Sequence, residues 1–125
     1  MENIPVFKFE DLKVYQKALD FVDIAYEVSQ NFPKSELYNL TSQFKRAAVS
    51  IPLNIAEGAG DTNAQFNRFL EIASGSVKEC VVCSTIARRQ NFISEEKNLE
   101  NRRKLAELSK MISSLKKYLK KQKSR

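Results

Sequence analysis

The chain has 125 residues, with 21 Lys/Arg against 15 Asp/Glu, a net charge of +6 and no histidine. Without histidine it lacks the commonest general base, the commonest metal ligand and the Ser–His and Cys–His nucleophile pairs, which disfavours most enzymatic chemistry. Three Gly and three Pro leave little material for turns, so a chain of single-domain length should fold as a few long helices and not as a sheet.

The N-terminus does not read as a secretory signal, and no uncharged run approaches membrane-spanning length. With only two cysteines, a soluble cytoplasmic protein is expected, with no membrane partner. We take residues 1–125 as one domain, with 1–10 an extended lead and 120–125 a basic, fraying tail.

The lead is apolar (Ile4, Pro5, Val6, Phe7, Phe9) and should pack on its own helices or on a neighbour. Asp11 can cap a first helix whose Leu12, Tyr15, Leu19, Val22 and Tyr26 are spaced 3-4-3-4. Pro33 restricts Phe32 and should stop that helix near Asn31.

A second helix is predicted from Ser35 to Gly58–Gly60, the two glycines supplying left-handed conformations at its end. Between Ala47 and Ala59 its polar side chains are Ser50, Asn54 and Glu57 alone. Phe44, Ala47, Ala48, Ile51 and Ile55 form one face, while Val49, Leu53 and Ala56 cover the opposite side. A helix apolar nearly all round must be buried on more than one side, and one bundle this short covers only one. The second helix therefore predicts a homo-oligomer. Pro52 removes a backbone donor but leaves the apolar phase intact, which predicts a kink and not a break.

Thr62 should open a third helix of about 28 residues, carrying two seams at 3-4 spacing. One seam is Phe66, Leu70, Ala73, Val77, Cys80, Ser84 and Ala87; the other is Phe69, Ile72, Ser76, Glu79, Cys83 and Ile86. The small residues Ala73–Ser76 would let another backbone approach. Ser94 is a candidate cap for a fourth helix, and an acid at the third helical position would complete a capping box. Leu105, Leu108, Ile112, Leu115 and Leu119 face inward; Arg103, Lys110, Lys117 and Lys121 lie opposite, with Arg102 and Lys120 beside them. Short connections between long helices predict an all-α, up-down antiparallel four-helix bundle.

Four patterns bear on chemistry. Cys80-x-x-Cys83 falls mid-helix on packing seams, where cysteine acts as a small apolar residue, so no metal or redox role is expected. Glu57-Gly-Ala-Gly-Asp61 follows a helix and lacks the lysine of a phosphate loop, so it reads as a helix cap. Gln43, Arg46, Ser50, Asn54 and Glu57 make a polar stripe, and Glu79 lies within the second seam of helix three. These six read as a structural network in which Arg46 pairs with Glu57 or Glu79, and neither carboxylate is assigned a catalytic role.

The fourth pattern is charge. From Arg102 to Arg125 there are ten Lys/Arg and one acid, Glu107, while the preceding residues hold eleven bases against fourteen acids. So one-sided a segment suits an acidic partner. Arg102, Arg103, Lys110, Lys117, Lys120 and Lys121, with Arg88 and Arg89 at the end of helix three, are the candidate nucleic-acid ligands. Tyr118 is the one aromatic among them, which favours backbone contact with structured RNA or DNA over stacked single strands. A protein-binding adaptor is the alternative.

Asp11–Ala18, Phe32–Pro33, Glu36–Leu40, Gln43–Gly58 and Phe69–Ser76 together resemble the 23S rRNA intervening-sequence proteins, which are encoded in insertions within ribosomal RNA genes and as free-standing bacterial genes. The match runs over about residues 7–90, and Ser50-Ile-Pro-Leu-Asn-Ile-Ala-Glu-Gly58 is its most specific block. The resemblance implies a four-helix bundle assembling as a homopentamer. It also implies kinship with the accessory protein of diversity-generating retroelements, which binds reverse transcriptase and nucleic acid. It implies no reaction and no cofactor.

Overall fold

A computed structural model describes residues 3–122; among them it holds four α-helices, two short 3-10 turns and no strand. The helices are α1 (Lys13–Ser29), α2 (Leu40–Gly58), α3 (Asn63–Arg89) and α4 (Glu95–Lys121). α2 packs most extensively on α3, followed by α3 on α4 and α1 on α2, while α1 and α4 meet more lightly. Phe32, after α1, lies 5.9 Å from Phe92, after α3, which brings those two connections to the same end. At the other end Asn63 Nδ2 donates to the Gln122 carbonyl at 3.0 Å, joining the start of α3 to the finish of α4.

One apolar cluster fills the centre. Phe21, Phe44, Ile51, Ile55, Leu70, Leu105, Leu108 and Ile112 are its largest fully buried side chains, each worth roughly 1.5–3 kcal/mol of burial. The first seam of α3 is buried throughout, as is the predicted inner face of α2. The opposite side of α2 is not: Val49 and Ala56 are half-covered, and Leu53 is 62% exposed.

Two helix starts differ from expectation, and a carboxylate explains each. Asp11 does not cap α1; it ends a 3-10 turn, Lys8–Asp11, and Leu12 stands at the cap position without a capping side chain. Glu10 holds that turn, its Oε1 accepting the Phe7 N–H at 2.8 Å and its carbonyl accepting Gln16 Nε2 at 2.9 Å. The lead is therefore extended only before Lys8, and Ile4, Val6 and Phe7 project into solvent. Likewise Ser35 sits in a 3-10 turn, Lys34–Glu36, and α2 begins only at Leu40. Glu36 Oε1 accepts the Leu40 N–H and Asn39 Nδ2, both at 3.2 Å, satisfying an amide at the helix start.

α2 then runs unbroken through the buried Pro52. Its two terminal glycines do different work. Gly60 has φ +87° and makes the turn, as expected, but Gly58 is the last helical residue and has no positive φ. Gly58 is there for space. A Cβ on it would lie 2.9 Å from Phe66 Cδ1 and 2.9 Å from Phe69 Cβ.

The later helices begin where predicted. Thr62 Oγ1 accepts the Gln65 N–H at 3.2 Å, and Ser94 Oγ accepts the Lys97 N–H at 3.0 Å. No capping box forms at Ser94, because the third helical residue is Lys97, whose Nζ pairs with Glu100 instead. α3 ends with Asn91 at φ 63°; its N–H bonds the Arg88 carbonyl, and the Phe92 N–H bonds that of Ala87. That is a Schellman arrangement with Asn in the left-handed position. α4 stays helical through Lys121, so Lys120 and Lys121 belong to the helix and not to a frayed tail; residues 123–125 lie outside the described range.

Gly58→Ala should lower stability by about 1–3 kcal/mol, the overpacking penalty outweighing the gain in helix propensity. Urea unfolding would read this as a lower midpoint, while Gly75→Ala, where an added Cβ meets nothing within 4 Å, should leave the midpoint unchanged or raised.

Candidate nucleic-acid interface

α4 separates its chemistry cleanly. Asn101, Leu105, Leu108, Ile112 and Leu119 are buried, whereas Arg102, Arg103, Lys110, Lys117, Lys120 and Lys121 are exposed. Arg102 to Lys121 spans roughly 29 Å along a helix rising 1.5 Å per residue. A row that long matches an extended polyanion better than a small anion.

None of these six is in an ion pair among the described residues. Glu107, the segment's one acid, turns toward α1, where Lys17 Nζ lies 3.8 Å from its Oε2. Glu71 is spent on Lys116 at 3.7 Å. Lys117 and Lys121 are i,i+4 neighbours of like charge, an arrangement that costs about 0.2–0.5 kcal/mol. The basic face is thus maintained at a small expense in stability.

Arg88 and Arg89 enter from the last turn of α3, where cations suit the helix dipole. Arg102 Nη1 donates to Thr85 Oγ1 at 3.1 Å, which sets it beside the turn that carries Arg88 and Arg89. Arg88 is partly neutralised, its Nη2 lying 3.7 Å from Glu95 Oε1. These three arginines cluster at one end of α4, with Lys117, Lys120 and Lys121 at the other and Lys110 between.

The predicted polar network divides. Ser76 Oγ donates to Ser50 Oγ at 2.8 Å, and Asn54 Nδ2 donates to the same oxygen at 2.9 Å and to the Ser50 carbonyl at 2.8 Å. Ser50 and Asn54 are therefore joined, with Ser76 of α3 as a third member. Gln43, Arg46, Glu57 and Glu79 stand exposed, and Arg46 makes no ion pair among the described residues, so the expected pairing with Glu57 or Glu79 does not form.

A second polar cluster has no counterpart in the sequence reading. Ser84 Oγ donates to Asn98 Oδ1 at 2.7 Å and accepts from Asn101 Nδ2 at 3.0 Å, with Asn101 only 1% exposed. Asn101 Oδ1 is buried without a partner. The signal available was one asparagine at a position where the 3-4 apolar stripe, extended back from Leu105, calls for an aliphatic residue.

Cys80 and Cys83 are both buried free thiols in the α3 seams. Burial pushes the Cys80 thiol far above the usual range, with Cys83 and Glu79 adding to the effect; burial, then Glu79, push Cys83 up to about 11. Both are poor nucleophiles in this setting. Among the described residues no set of three His, Cys, Asp or Glu side chains is placed to hold a metal. The Gly58–Asp61 turn closes on itself, Asp61 N–H bonding the Gly58 carbonyl and Asp61 Oδ1 accepting the Thr62 N–H at 2.7 Å. No helix is long and apolar enough to cross a membrane among the described residues.

The family of 23S rRNA-intervening sequence proteins matches residues 10–114, which takes in α1, α2 and α3 whole and α4 as far as Ser114, leaving Lys117, Lys120 and Lys121 beyond the match. The chain belongs to that family. As a member, this intervening-sequence protein also shares its fold with a protein of unknown function from the S23 ribosomal protein family of Bacteroides thetaiotaomicron VPI-5482, with TM-score 0.77 and 23% identity over 83% of this chain and 98% of that one. No curated protein matches.

Ser84→Ala would strand the buried Asn101 amide and should lower unfolding free energy by about 1–3 kcal/mol, far more than loss of one exposed hydroxyl. Thermal or urea unfolding of this variant beside Ser113→Ala, an exposed serine of α4, checks it.

Proposed function

We propose that this protein is a non-enzymatic, cytoplasmic, homo-oligomeric scaffold that binds structured RNA or DNA through phosphate contacts made by α4. The protomer is an up-down antiparallel bundle, and the family resemblance favours five copies. The observation that carries the reading is the exposed row of six cations, in no ion pair among the described residues, with the one acid of the segment turned away toward α1. Repeating that row around an assembly multiplies its effective phosphate affinity without any base-reading motif. A nucleic-acid-handling enzyme such as a reverse transcriptase could share the assembled surface, since it would bring its own polyanion.

Assembly is supported by a separate feature. Leu53, in mid-α2, and Ile72, in α3, are large aliphatic side chains 62% and 47% exposed, and Arg46, Glu57 and Glu79 on the same two helices are exposed as well. An apolar patch rimmed with both signs of charge suits a self-complementary contact. There the unsatisfied members of the polar stripe would find their partners in a neighbouring copy.

Binding to a labelled RNA hairpin should weaken on the order of 10³-fold between about 50 and 200 mM salt if six phosphates are engaged. The triple reversal Arg103→Glu, Lys110→Glu, Lys117→Glu should abolish it; undiminished binding would overturn the assignment. A complex that instead survives high salt would belong to a protein-binding adaptor. Leu53→Glu should convert the oligomer to folded monomers, read by light scattering with an unchanged helical circular dichroism spectrum; an unchanged mass would remove α2 from the contact.

A further inference from the structure

Between α3 and α4 runs a groove of about 610 Å³ lined by Val77, Lys78, Val81, Val82, Arg102, Arg103, Leu105, Ala106 and Ser109. The floor and walls are aliphatic, its three charged residues are all cations, and no carboxylate lines it. Lys78, Arg102 and Arg103 are in no ion pair among the described residues, and Val82 is 55% exposed.

Charge complementarity restricts the occupant. Three cations lining an otherwise apolar slot fit a ligand that is flat and apolar on one part and anionic on another. A nucleotide displaced from its stack has that form, whereas a continuous duplex offers phosphates but keeps its base faces covered. Arg102 also belongs to the basic row, and its bond to Thr85 holds the guanidinium at the groove's rim. A polyanion lying along α4 therefore passes directly over the slot.

Resting on the nucleic-acid reading above, we propose that the α3–α4 groove receives one unstacked RNA nucleotide, its base against Val81, Val82 and Ala106 and its phosphates against Lys78, Arg102 and Arg103. RNA bearing a bulge or open loop is then preferred to uninterrupted duplex, and the preference resides in residues separate from the distal lysines that give general affinity.

The test compares two labelled RNA hairpins, identical except for one bulged nucleotide, titrated with the intact oligomer at about 50 mM salt. The bulged hairpin should bind roughly five- to tenfold tighter, the size expected from covering one base face with aliphatic side chains. Ala106→Trp, at an exposed position, should fill the slot, and Lys78→Gln should remove a groove cation outside α4. Each should reduce the bulged hairpin to the affinity of the plain one and leave the plain one unchanged. Equal affinity of wild-type protein for the two hairpins, with salt-sensitive binding intact, overturns the groove and spares the scaffold reading. A preference that persists in both variants also overturns it. Absence of binding to either hairpin overturns both.

Discussion

Gly58 has no room for a methyl group, and much of the architecture follows from that contact. With Phe66 and Phe69 of α3 pressed on its α-carbon, the end of α2 and the start of α3 are held closer than ordinary side chains allow. The same pair of helices carries small residues further along. Ala47, Ala48 and Ala73 are buried, and Ser76 bonds Ser50 across the interface at 2.8 Å. Close helix packing of this kind makes steric fit, and not apolar area alone, the determinant of register. It also explains why a buried proline is tolerated in α2. Pro52 costs a backbone hydrogen bond, roughly 3 kcal/mol in an isolated helix interior, but Ile51 and Ile55 on either side are fully buried and hold the segment helical.

Once α2 and α3 are fixed, α4 has one way to lie. Its leucine stripe must face the remaining opening, and Asn101 must reach Ser84. A hydrogen bond between two buried polar groups adds little net stability, but a shifted register would leave both unsatisfied, a far larger cost. The polar pair therefore selects the register that the apolar stripe stabilises. That register in turn decides which way the cations point. Rotating α4 would bring its outward row toward the core and send Glu107 away from Lys17. The basic face is therefore a consequence of core packing.

The sequence made the helices legible from their apolar periodicity, and α3 and α4 from their caps, because Thr62 and Ser94 precede long uninterrupted patterns. The first two helix starts were not legible. Asp11 and Ser35 are good capping residues in principle, but Glu10 and Glu36 lie beside them and spend their carboxylates on other amides. Competition between neighbouring acceptors is settled by local geometry that composition does not record. The basic row was plain, since each of its positions follows from helical spacing. The Ser84–Asn98–Asn101 cluster was hidden because serine on an apolar seam reads as a small residue until its partner on another helix is known. Gly58 was read as a turn residue for a related reason: a glycine near a helix end fits two explanations, and only the neighbours at 2.9 Å choose between them.

The polar stripe of α2 is satisfied only in part within one chain. Ser50 and Asn54 find partners inside it, whereas Gln43, Arg46 and Glu57, on the same helix, do not. Arg46 and Glu57 lie on the helical face that carries Leu53, an aliphatic side chain that stays mostly in water. Helix propensity does not select leucine there, since lysine or glutamate has much the same propensity and would keep its charged end in water. In the proposed contact with a second copy each part would acquire a purpose: Leu53 would supply apolar burial, and the charges on its face would penalise misaligned copies. The proposed assembly would also fix how successive α4 rows are spaced. A nucleic acid meeting several rows must match that spacing as well as the charge, so steric packing at α2 would control selectivity at α4.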